Sequence, residues 1–166
     1  MKNPVSETIE GFLIQGMEMK DLPEVAAIAA SFSSTPWTEK MFAGEMKNSF
    51  SHCFVAKTEG ALTGRVVGFI CFRTIQDESE LLNLCVHSVY RGRSVGKRLM
   101  QFYIDFCIRK GIHTFYLDVH ASNEPALRLY RSFCYETTGT RKNFYGGKSD
   151  ALMMARREAC LSVGLG

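Results

Sequence analysis

Hydrophobic and polar positions change period several times along the chain, and each change marks an element. The segment "FLIQGMEM", Phe12 to Met19, reads as a first strand. "DLPEVAAIAASF" follows as a helix: Asp21 stands three residues before Glu24, a capping-box spacing, and Pro23 occupies the tolerant first turn. "TPWTEKMFAGEMKN" repeats the logic, with Thr38 as the N-cap of a second helix. "HCFVAKTEGALTGRVVGFICFRTI" predicts a hairpin turning at Glu59-Gly60. "SELLNLCVHSV" is mostly apolar on both faces, as a buried strand is.

From Gly96 to Lys110, Leu99, Phe102, Tyr103, Phe106 and Cys107 recur at helical spacing, and Gly111 ends the run. "HTFYLDVH" alternates, with Phe115, Leu117 and Val119 on one face and Thr114, Tyr116, Asp118 and His120 on the other. "SNEPALRLYRSF" predicts a helix capped by Ser122 or Asn123, with Pro125 in its first turn. "YETTGTRKNFY" and "DALMMAR" close the chain as a final hairpin. The predicted order is β-α-α-β-β-β-α-β-α-β-β, an α/β chain with a mixed sheet and helices packed on it. No repeat, low-complexity tract or linker interrupts it, so a single domain over residues 1–166 is expected, with loose tails at 1–11 and 157–166.

A length of 166 residues suits one sizeable core, and 46% hydrophobic content is normal for a globular protein. The formal net charge of +3 is too small to argue for nucleic acid, and direct nucleic-acid binding is not expected. No apolar run approaches the ~20 residues of a membrane span. The N-terminal "MKNPVSETIEG" has no hydrophobic h-region, so a cytoplasmic location and no membrane partner are expected. Cys53, Cys71, Cys85 and Cys107 sit inside apolar segments, with Cys134 and Cys160 similarly placed, and none forms a C-x-x-C pair. They read as small, buried, reduced hydrophobes, with a cysteine nucleophile as the alternative and no metal site.

Candidate chemistry concentrates in "YRGRSVGKRLM", Tyr90 to Met100, where an apolar strand gives way to a helix through two arginines, two glycines and a serine. Unpaired N–H groups at a helix start, beside fixed positive charge and small residues, suit a phosphate. A Walker loop does not fit, because Gly92 and Gly96 are one residue too close and Arg98 occupies the magnesium-ligand position. The G-x-G-x-x-G dinucleotide fingerprint is absent. What remains is a pyrophosphate loop in which successive amides bind, with Arg91, Arg93 and Lys97 nearby; a solvated basic turn is the bland alternative.

This stretch resembles the acetyl-CoA loop of the GNAT acyltransferases: Gln or Arg, two residues, Gly, one residue, then Gly or Ala. Arg91 and Gly96 match, and Ser94 stands where the family usually has its first glycine. A close approach of backbone to phosphate suits a serine there if its φ stays negative. "TPWTEKMF", "LLNLCV", "LDVHASNEPALRLYRSF" and "TRKNFYGGKSDALMM" fall in the order and spacing of the RimI-type N-terminal acetyltransferases, a resemblance covering residues 12 to 156.

The resemblance implies a GNAT fold: a mostly antiparallel seven-stranded sheet, about four helices on both faces, and splayed central strands. It implies acetyl-CoA as cosubstrate and an acceptor peptide N-terminus, such as that of a small-subunit ribosomal protein. By the same resemblance the amides of Leu84, Cys85 and Val86 bind the pantetheine and polarise the thioester. Gly92, Arg93, Ser94, Val95, Gly96 and Lys97 hold the pyrophosphate. Asn123 matches a pantetheine-binding asparagine, although a plain N-cap role fits it equally and the two can coexist. Tyr130 matches the general acid, a phenol protonated at neutral pH, although its place in a stripe with Ala126, Leu129 and Phe133 also suits a core residue. The family's basic glutamate is replaced by Asp118, one methylene shorter, acting through a water; His120 on the same strand face, or bulk solvent, is the alternative base. Phe144 and Tyr145 resemble the aromatic frame of the acceptor, and Trp37 reads as packing first and substrate wall second. Acetylation of a small amine or a lysine side chain, and a non-catalytic CoA- or RNA-binding module, remain as rival readings.

Overall fold

The computed structural model describes residues 6–9, 11–60 and 64–158. Cys160, most of the expected C-terminal tail and part of the turn after Gly60 lie outside them. Among the described residues, eight strands and four α-helices form two compact units.

The first unit runs to Arg73 and resumes from Leu82 to Ile104. It contains β1 (Glu7–Ile9), β2 (Phe12–Gly16), α1 (Leu22–Ala30), α2 (Glu39–Lys47), β3 (Ser51–Thr58) and most of β4 (Val66–Ile75). β1 adds one strand to the seven expected and lies within the expected N-terminal tail. Gly11, at φ 87, turns the chain so that Ile9 pairs with Phe12 and Glu7 with Ile14. Antiparallel pairing continues from β2 to β3 and from β3 to β4. Thr38 caps α2 as predicted, accepting a 3.3 Å bond from the Met41 N–H.

The box predicted from Asp21 to Glu24 does not form. The Asp21 carboxylate instead accepts the Glu18 N–H at 2.9 Å and pairs with Lys57 Nζ at 2.6 Å in a buried setting. Glu24 accepts the Val66 N–H at 3.2 Å and so ties α1 to β4. A long-range cation outcompetes the local amide because a buried carboxylate needs a countercharge.

Both faces of β3 and β4 are covered, which explains their nearly continuous apolar runs. On one face Val55, Phe69 and Cys71 join Val25 and Ile28 of α1 and Phe42 of α2. On the other, Phe54 meets Phe102 at 4.7 Å and Phe72 meets Tyr103 at 4.4 Å, so the first half of α3 (Val95–Arg109) packs there.

The second unit holds Thr74–Leu81 and the chain from Asp105. Its strands are the first half of β5 (Glu78–Val86), β6 (Thr114–His120), β7 (Glu136–Tyr145) and β8 (Ser149–Arg157), with α4 (Glu124–Ser132) between β6 and β7. β6 pairs in parallel with β5 and antiparallel with β8, which carries β7 on its far edge. The predicted alternation of β6 holds: Phe115, Leu117 and Val119 are buried. The β5–β6 register runs from Glu78 opposite Thr114 to Leu81 opposite Leu117 and stops there, although both strands continue. Cys134 is exposed rather than buried. It takes φ 63 just past α4, where the chain turns so that Tyr135 enters the core instead.

Candidate active site

In the first unit, β5 continues past its last paired residue through Leu84, Cys85 and Val86. A single helical turn, Ser88–Tyr90, follows, and His87 Nδ1 caps it by accepting the Val89 N–H at 3.2 Å. Gly92 and Ser94 then take left-handed backbone, at φ 73 and 62. Turns of this kind bring successive N–H groups to one side and make anion-binding concavities. Ser94 therefore has the conformation of the glycine it replaces, not the negative φ compatible with a serine. Gly92 to Ser94 are exposed, whereas Val95 is buried and anchors the start of α3.

The first turn of α3 has no acidic residue, and Lys97 and Arg98 follow its start. Cations there oppose the helix dipole, a misfit that an anion relieves. Arg91 lies over the Phe32 ring at 3.8 Å and Arg93 near the Tyr90 ring at 5.5 Å, which holds two loop cations by their flat faces. Trp37 packs on Phe42 at 5.2 Å, against the core shared by α1 and α2, as the packing role expected. A cavity of about 170 Å³ lies among Glu24, Ile28, Ser31, Arg65, Val66 and His87, and no residue expected for catalysis lines it.

Three of the thiols, Cys71, Cys85 and Cys107, do not suit a nucleophile. Burial pushes Cys85 up to about 12, against a smaller opposing pull from Arg91. Burial also pushes Cys107 up to about 12, despite Ser79 and Lys110, and holds Cys71 well above the ordinary thiol range. A nucleophilic cysteine needs the opposite shift. Among the described residues no group of His, Cys, Asp and Glu side chains is placed to hold a metal.

In the second unit, Asp118 and His120 share one face of β6, opposite Met153 and Ala151 of β8. Ala151 is opposite Arg141 of β7, so a row of three residues crosses the sheet from His120 to Arg141. Arg141 leans along this face, and its Nε reaches Asp118 Oδ2 at 3.4 Å. Ala151 is fully buried, and Met153, opposite Asp118, lies over Gly139, where an added Cβ would be 2.5 Å from its Cε. A register shift between Arg141 and Tyr145 brings Tyr145 back over His120, with ring centroids 5.1 Å apart and planes at 23°. Phe144 stands edge-on to Tyr145 at 5.1 Å. Burial raises the Tyr145 phenol above its ordinary value, and the Asp118 charge adds to the shift.

His120 Nδ1 accepts the Ser122 N–H at 3.2 Å and lies 2.8 Å from Ser122 Oγ. An Nδ1 used as acceptor puts the neutral ring's proton on Nε2. Asn123, not Ser122, caps α4, its Oδ1 accepting the Ala126 N–H at 3.3 Å. That bond uses the amide oxygen. Tyr130 lies on the buried side of α4, 8% exposed, its ring 6.0 Å from that of Tyr135. The fold thus gathers Asp118, His120, Phe144 and Tyr145 into one cluster and adds Arg141, which sequence reasoning missed. Only its place in "TRKNFY", three residues before Phe144, could have drawn attention to it.

Past its paired residues β5 thus runs into a left-handed loop and a helix start bearing cations. Residues 18–134 match the model of the acetyltransferase (GNAT) family. The chain belongs to this family.

The acetyltransferase is 30% identical over 145 residues to the [ribosomal protein bS18]-alanine N-acetyltransferase of Escherichia coli strain K12, covering 86% of this chain and 95% of that one. It is 34% identical over 122 residues to the N-alpha-acetyltransferase RimI of Mycobacterium tuberculosis strain H37Rv, covering 73% and 75%. The crystal structure of the ribosomal-protein-S18-alanine N-acetyltransferase from Escherichia coli superposes with a TM-score of 0.82 at 28% identity, covering 93% of this chain and 99% of that one. The expected GNAT fold, mixed and mostly antiparallel with four helices, is the fold found, and the protein is an acyltransferase. No helix among the described residues is long and apolar enough to cross a membrane.

Proposed function

We propose that the acetyltransferase takes acetyl-CoA and acetylates the N-terminal α-amino group of a protein, a small-subunit ribosomal protein being the first candidate. The observation that carries this reading is the likeness, over most of both chains, to enzymes named for that reaction. The amides from Gly92 to Lys97 receive the pyrophosphate. Those of Leu84, Cys85 and Val86 meet the pantetheine and thioester, with the Asn123 amide on the pantetheine arm.

An α-amino group has a pKa of about 8 and arrives mostly protonated at neutral pH. Asp118 takes that proton through a water that makes up the missing methylene. Amides of β5 stabilise the oxyanion formed when nitrogen attacks the thioester carbonyl. Tyr130 donates a proton to the departing CoA sulfur. Phe144 and Tyr145 frame the peptide terminus, and Trp37 supports the α1–α2 loop. These steps need no metal, and a cytoplasmic location suits both substrates.

The test is incubation with acetyl-CoA and a peptide panel that includes an Ala-Arg N-terminus, with the added acetyl located by mass spectrometry. Acetyl on the α-nitrogen is the expected result. Acetyl confined to lysine or to a small amine overturns the acceptor assignment. CoA binding without turnover points to a non-catalytic module.

A further inference from the structure

We propose that Arg141 is the resident cation of the acceptor subsite: its guanidinium pairs with Asp118 until the acceptor's ammonium, held to the carboxylate through the bridging water, replaces it. This rests on the reading of Asp118 as the group that receives the acceptor amine. The Nε–Oδ2 distance of 3.4 Å makes a single-point ion pair, and the two side chains are 53% and 25% exposed. A bidentate, buried clamp would fix the arginine; a wet, one-point pair is worth little and exchanges readily.

The displaced guanidinium also has somewhere to go. Its Cζ is already 5.7 Å from the Phe144 ring centroid, within reach of a cation–π contact on a ring that is itself half exposed. The other groups on this face do not compete for Asp118. His120 is engaged through Nδ1 with Ser122, Tyr145 is a neutral phenol at neutral pH, and Asp150 accepts the Asn143 N–H at 2.9 Å. Only Ala151 stands between His120 and Arg141 in that cross-strand row.

Two cations cannot both sit on one carboxylate without repulsion, so acceptor affinity is set by competition with Arg141. An amine must arrive charged to compete, which excludes capped N-termini and neutral nucleophiles at this step. Arg141 is thus a positioning residue that selects for an ammonium.

The test compares wild type, Arg141→Gln, Arg141→Lys and Asp118→Asn, and the double variant Arg141→Gln/Asp118→Asn, on a peptide with an Ala-Arg N-terminus. Arg141→Gln removes the competitor and should lower acceptor KM by ~2- to 5-fold, the scale of an exposed ion pair. KM for acetyl-CoA should not move, and Arg141→Lys should restore the higher acceptor KM. The effect should vanish in the Asp118→Asn background, as a double-mutant cycle requires. An acceptor KM that rises in Arg141→Gln, or a fall that persists without Asp118, overturns the proposal.

A readout independent of turnover separates this idea from the functional reading. The Arg141 Nε resonance, titrated with the peptide and with its Nα-acetylated form, should shift only with the amine. Equal shifts, or none, overturn the proposal. Wild type that shows the amine-specific shift but leaves the α-nitrogen unmodified sinks the N-terminal acetylation reading and leaves the role of Arg141 standing.

Discussion

Replacing Ser94 tests whether the proposed phosphate loop is built before its ligand arrives. Ser94 holds φ 62, where a side chain costs about 1–2 kcal/mol relative to right-handed backbone. Ser94→Gly removes that cost. It also frees the unfolded chain, a loss of about 0.4–1 kcal/mol, and exchanging a helix-flanking serine for glycine costs a few tenths more. The balance is a gain of about 0.5 kcal/mol. For a chain of this size, about 2–4 °C per kcal/mol gives a rise of ~1–2 °C in Tm.

Ser94→Val asks the same backbone of a β-branched residue, for which left-handed geometry is an outlier. It should lose about 1 kcal/mol further relative to serine, a fall of ~2–4 °C. Thermal unfolding of the three proteins should rank glycine, serine, valine. Calorimetry with CoA should show glycine within ~3-fold of wild type, because the loop already holds the conformation. Valine as stable as serine, or glycine less stable than serine, would refute the claim that φ at residue 94 is a cost the fold maintains for the loop.

Four further outcomes follow from the site and its support. Tyr130→Phe keeps the ring buried on α4 and should retain the fold, while kcat falls by ~10²- to 10⁴-fold; a normal kcat returns Tyr130 to a core role. Asp118→Asn should flatten activity near neutral pH and leave turnover that rises with pH as more amine arrives deprotonated, whereas His120→Gln should alter the pH–rate profile little; the reverse pattern assigns the base to His120. Asp118→Asn should also lower the Tyr145 titration read by ultraviolet absorbance, because the carboxylate is one of the two causes raising it. A raised phenol contributes stability that is fully present below the unfolded value near pH 10 and lost as pH climbs through the native value, so this variant, with a smaller upward shift, should lose less stability across that alkaline range. Lys57→Met strands the buried Asp21 carboxylate and should cost about 3–5 kcal/mol by urea unfolding, with much of it recovered when Asp21→Asn is added.

The elements and their order were legible from the chain because each is specified by neighbours a few residues away. The period-2 pattern of "HTFYLDVH" put Asp118 and His120 on the open face of β6, Thr38 and Asn123 marked helix starts, and Gly111 marked a helix end. The basic, small-residue junction from Tyr90 to Lys97 could be read as a candidate anion site for the same reason: its chemistry is contiguous. What lay beyond local sequence was decided by strand register and burial. Asp21 abandons its predicted cap for Lys57, 36 residues onward, because only the packed core makes an unpaired carboxylate costly. Ser94 is forced to φ 62 by a loop whose ends are anchored in β5 and α3, against its own preference. Arg141 meets Asp118 because β8 lies between their strands in a register that sets Ala151 opposite both His120 and Arg141. No spacing in the chain encodes that meeting, since pairing between strands fixes it only after the hydrophobic faces have chosen which side is buried.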